Sequence, residues 1–124
     1  MLHIGYLWLV VSLALLGVSA LTPSYLAPST AMHALTAGAI GTMTLAVMTR
    51  ASLGHTGREI KAGGATLAIY VLVNMGGLLR VAAPLFPGDY LNALRLSGIV
   101  WSAAFALFVL SYGPILLRPG EGRI

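Results

Sequence analysis

The sequence predicts an all-α membrane protein, a bundle of four transmembrane helices with both termini in the cytoplasm. Three observations lead there. The 124 residues are 58% hydrophobic and only 8% charged, with a mean hydropathy of +0.91. A soluble domain of this size buries roughly 60–70% of its surface, too little to hide that much apolar side chain, so lipid must cover the rest. The apolar residues fall into four runs, each near or above the ~20 residues that cross ~30 Å of hydrocarbon. The alternating pattern of a closed β-barrel, the other spanning solution, is missing.

The first helix is read at about residues 4–21, ending at the uncharged linker TPSYLAPST. Tyr6 and Trp8 near its start suit interface anchors. Val18-Ser19-Ala20 resembles a signal-peptidase site, but no Lys or Arg precedes the apolar stretch, which favours a retained helix. The second helix is placed at 31–49. It carries overlapping pairs of small residues, Ala34/Gly38, Ala37/Gly41 and Gly38/Thr42, which let helix backbones approach closely in lipid. The third, 65–85, stops at Pro84 and the turn signal Pro87-Gly88-Asp89. Asn74 near its middle, followed by Gly76 and Gly77, reads as a close crossing sealed by an interhelical hydrogen bond. The fourth, 90–117, precedes a polar tail. The loops are short, and the whole chain is one domain.

Charge orients the bundle. Arg50, Arg58 and Lys61 lie between the second and third helices, and Arg118 and Arg123 follow the fourth. The first linker has no charge and the last connection carries Asp89. The positive-inside rule places the middle loop and both termini in the cytoplasm. Basic residues at segment ends, rather than on one face, explain the net charge of +4 without a nucleic-acid partner. There is no cysteine, which excludes disulfides, thiolate metal sites and cysteine nucleophiles.

The residues able to carry chemistry are few. The run HALTAGAIGTMTLAVMTRASLGHTGR, residues 33–58, has the length of a membrane span and a histidine near each end. Imidazole is the commonest metal ligand and is rare inside membranes. On a regular helix His33 shares a face with Ala37, Ile40, Thr44 and Val47; it reads equally as a ligand or as an interfacial histidine bonded to a carbonyl or water. His55 sits between Gly54 and Gly57, where a helix C-cap at Gly54 with a solvated His behind it competes with a ligand role. His3 begins the first helix at the same predicted depth as His55. His33 and His55 are about 33 Å apart on one helix, so they cannot share a metal within one chain. An inner site using His3 and His55 and an outer site at His33 is the consistent arrangement. Met32, Met43 and Met48 offer thioethers for copper, with packing the plainer role for Met43 and Met48. Arg80 and Arg95 can pair with Asp89 or meet an anion. Phosphate loops, zinc-protease spacing, hydrolase triads and acidic pairs are missing, so any catalysis would rest on a cofactor.

The segments LHIGYLWL (2–9) and 33–58, with residues 74–81, Trp101 and Tyr112-Gly113-Pro114, resemble the NnrS family of bacterial membrane proteins. The resemblance covers essentially this whole chain, but only the C-terminal third of the family pattern. It implies a multi-pass bacterial inner-membrane protein that binds haem and/or copper and is linked to nitric oxide stress or denitrification. It further implies His3, His33 and His55 as metal ligands, with Arg50, Arg58 and Arg80 as basic positions near the cofactor. Asn74 and Arg95 stay structural polar residues. With fewer helices than the family pattern, self-association or a companion membrane chain is expected alongside the lipid bilayer. The alternatives are a metal-free structural or assembly subunit and a small transporter.

Overall fold

Four long helices fill the computed structural model, which describes residues 1–61 and 63–118; the expected cytoplasmic Arg123 lies outside them. They are α1 (Leu2–Leu21), α2 (Pro28–His55), α3 (Gly64–Ala82) and α4 (Tyr90–Leu117). All four are long and apolar enough to cross a membrane, and no strand occurs among the described residues. Only 17% of the apolar window of α4 is buried within the bundle, so most of its surface requires lipid.

Local chemistry sets the ends. Helix α2 begins at Pro28 rather than near residue 31, because proline's fixed φ and missing N–H suit a first helical turn. The preceding linker folds back where the Ser19 hydroxyl donates to the Leu26 carbonyl at 2.8 Å. Helix α2 also continues past residue 49 to His55. Its stop is Gly57 rather than Gly54: Gly57 has φ 70°, its N–H reaches the Gly54 carbonyl, and the Arg58 N–H reaches Leu53. That pair of bonds is a Schellman cap with glycine at the left-handed position. Helix α3 tightens into a 3₁₀ turn at Ala83–Leu85, where Pro84 cannot donate.

Helix α2 is not a uniform α-helix. Residues Ala34–Ile40 form a π-helical stretch, in which the Gly41 N–H bonds to the Thr36 carbonyl. The Ala37 carbonyl, which Gly41 would engage in a regular α-helix, accepts the indole N–H of Trp101 from α4 at 3.1 Å. A second indole, Trp8 of α1, lies directly against Gly38. The small residues of α2 thus admit two tryptophan rings, one on each side.

Helices α3 and α4 make the most extensive pairing. A Cβ on Gly76 would stand 2.8 Å from the Trp101 Cα, so only glycine fits that crossing. Leu45, Ile69, Val73 and Ala104 fill the core beside it, with Phe108 stacked on Tyr112 at 5.0 Å. Asn74 of α3 ties in the other two helices. Its Oδ1 accepts from the Trp8 indole at 2.8 Å and the Thr42 hydroxyl at 3.3 Å, and its Nδ2 donates to the Tyr70 carbonyl. Hydroxyl pairs Thr49–Tyr70 and Thr66–Tyr112 link α2 to α3 and α3 to α4 at the end where α1 begins. No buried side-chain N or O among the described residues lacks a partner.

Candidate functional site

The π stretch begins one residue after His33, and that placement defines the site. His33, Ala37, Ile40 and Thr44 line one wall of a cleft of about 590 Å³ that α4 closes with Ser97, Trp101 and Phe105. Val47, grouped with them on a uniform 3.6-residue helix, is exposed outside the cleft. Ser97 is buried, while the indole of Trp101 and the ring of Phe105, 4.5 Å apart, form an aromatic face.

The half-buried His33 ring faces Arg80 of α3, with Nε2 3.1 Å from the guanidinium. A guanidinium has donors only, so His33 Nε2 accepts and the ring proton sits on Nδ1. Of the roles open to Arg80 from sequence, pairing with Asp89 is not the one observed. Asp89 is exposed, and the one ion pair found among the described residues joins Lys61 and Glu59 at 3.0 Å. The site therefore holds a neutral imidazole and a cation, both supplied by membrane-spanning helices and both at the rim of an aromatic cleft. That combination can take a flat, largely apolar group carrying a negative substituent.

The other histidines stand apart from it and from each other. His3 is exposed and lines a depression with Arg50 and Lys61. His55, also exposed, lines a different depression with Ser52 and Phe108. The two share an end of the bundle but not a cavity. Thr56 beside His55 donates back to the Ser52 and Leu53 carbonyls, so the Gly-His-Thr-Gly sequence is a complete helix terminus. Arg58 contributes its backbone to that terminus, and Arg95 is exposed on α4 next to, but not within, the His33 cleft. Met43 lies against Gly5 of α1 as a packing residue. No group of three or more His, Cys, Asp or Glu side chains able to hold a metal ion occurs among the described residues. Trp101 and the Ala37 carbonyl are site elements that the sequence does not mark, because nothing in a run of small residues announces a π-helical turn.

Comparison with known proteins gives one match. The family model for the NnrS protein covers residues 1–120. No curated protein and no solved structure matches the chain. A match of that extent, over all four membrane-spanning helices, settles the family: the chain is a multi-pass, membrane-type member of the NnrS family.

Proposed function

We propose that this chain is a haem-binding membrane protein of the NnrS type, acting in the bacterial inner membrane in the response to nitric oxide. The observation that carries the proposal is the His33–Arg80 pair at the mouth of the aromatic cleft. The donor set fits haem. Imidazole is the usual axial ligand, an arginine is a ready partner for a propionate, and Trp101 and Phe105 offer apolar faces to a macrocycle. Bound haem would supply an iron able to take a small ligand such as nitric oxide. His33 would release Arg80 and present Nε2 to the metal, and Arg80 would turn to the carboxylate. Within the cleft His33 is the imidazole that would hold the group, leaving room for a small ligand or for a residue of another chain. Copper fits less well. Met32 is half exposed and does not line the cleft, leaving His33 without soft ligands beside it.

The test is an absorption spectrum of the detergent-purified protein after haem is offered, oxidised and dithionite-reduced, with metal analysis of the same sample. The expected result is a Soret band that shifts on reduction and on nitric oxide addition. It should disappear in His33→Ala and persist in His3→Ala and His55→Ala. A colourless protein, or a band that survives His33→Ala, would overturn the proposal. The colourless outcome would favour the metal-free structural subunit.

A further inference from the structure

At the opposite end of the bundle from His33, two cavities meet. One, of about 510 Å³, lies among the start of α1, the last turns of α2 and the start of α3. Its polar wall comprises His3, Tyr6, Arg50 and Lys61, with Thr66 and Tyr70 behind them. The second, of about 530 Å³, is a groove between α1 and α3. Ile4, Leu7 and Val11 line one side, and Leu67, Val71 and Leu78 the other. Tyr70 and Met1 line both cavities, so the basic cleft lies directly beside the apolar groove.

We infer that this composite cavity binds one anionic phospholipid, with the phosphate in the basic cleft and an acyl chain in the α1–α3 groove. The chemistry of the two parts differs as the two ends of such a lipid do. Arg50 and Lys61 supply positive charge, and the Tyr6 and His3 side chains supply further donors for phosphate oxygens. Lys61 meets Glu59 at 3.0 Å, but both side chains are largely exposed, so a phosphate can compete for the ammonium; Arg50 stands outside that pair. The groove residues from Leu67 to Val81 extend along about 21 Å of helix, enough to follow a chain through half of a ~30 Å hydrocarbon core. Arg50, Arg58, Lys61 and Arg118 all lie at this end, where basic pockets between membrane helices are suited to acidic headgroups. A free phosphate would use the cleft but gain nothing from the groove.

The test uses the full chain in detergent and native mass spectrometry with phosphatidylglycerol, phosphatidylcholine or inorganic phosphate as probes. Phosphatidylglycerol should be retained in preference to phosphatidylcholine. That preference should fall about fivefold in Arg50→Gln and further in Arg50→Gln/Lys61→Gln, while Arg50→Lys keeps it. Val71→Trp, which fills the groove, should weaken retention of both lipids. Arg118→Gln, at the same end but outside the cleft, should leave the preference unchanged. An unchanged preference in the double variant would overturn the inference, as would an equal loss in Arg118→Gln, which would mean a general charge effect. Displacement of the lipid by millimolar inorganic phosphate, with Val71→Trp behaving as the parent, would overturn it in favour of a free-anion site.

Discussion

Asn74 holds three helices through one side chain, accepting from Trp8 of α1 and Thr42 of α2 while donating to its own helix. Within a membrane such interhelical bonds contribute about 0.6 kcal/mol each and at most about 1.7. Asn74→Leu leaves the indole N–H and the Thr42 hydroxyl without their acceptor, so thermal unfolding in detergent should move to lower temperature. Thr42→Val, which removes only the 3.3 Å bond, should shift it less. Equal effects would contradict this division of roles. Asn74 was legible in the sequence because an amide beside two glycines in an apolar run has few other uses. The meeting of His33 with Arg80 was not, since the two are far apart in sequence and nothing local pairs them. His55 illustrates the reverse. Its flanking glycines suggested chemistry, yet Gly57 at φ 70° explains them as a helix stop.

Among the elements, α2 departs furthest from what its residues alone specify. Apolar and small side chains mark a helix but do not distinguish π from α turns. The π stretch depends on partners elsewhere in the chain: the Trp101 indole meets the Ala37 carbonyl, and Trp8 fills the space before Gly38. Deleting one residue within Ala34–Ile40 should let α2 return to regular α-helix with His33 and Thr44 still in phase, because the wide turn takes up one extra residue. The Ala37 carbonyl then bonds within the helix, and any haem band assigned to His33 should persist with helix content by circular dichroism retained. A lost band would show that the Trp101 bond to the wide turn helps to position the imidazole. Trp101→Phe keeps the ring but loses the indole donor, and hydrogen exchange at the amides of residues 38–42 should accelerate. At the α3–α4 crossing, Gly76→Val must displace the Trp101 backbone, an overpacking worth about 1–3 kcal/mol. Gly113→Ala, with open space around it, should be close to neutral when the two are compared by thermal unfolding.

For the whole molecule, composition and segment length were sufficient to give the four-helix architecture, because lipid enforces helices wherever backbone leaves water. Orientation rests on charge alone and is open to direct measurement. The chain has no cysteine, so single replacements report cleanly. Ser24→Cys, in the exposed linker after α1, should react with an impermeant maleimide added outside intact cells. Glu59→Cys, between α2 and α3, should react only after lysis. The opposite result would invert the bundle and place the His33 cleft near the inner face. The Gly76–Trp101 crossing also bears on how the protein is made. Helices α3 and α4 are joined by a short turn and share the most extensive pairing in the bundle, so they can close on each other as a hairpin while α1 and α2 are still undocked. Were that pair to close first, it would be the template on which the earlier-synthesised helices settle, and biogenesis would finish in the reverse of the order of translation.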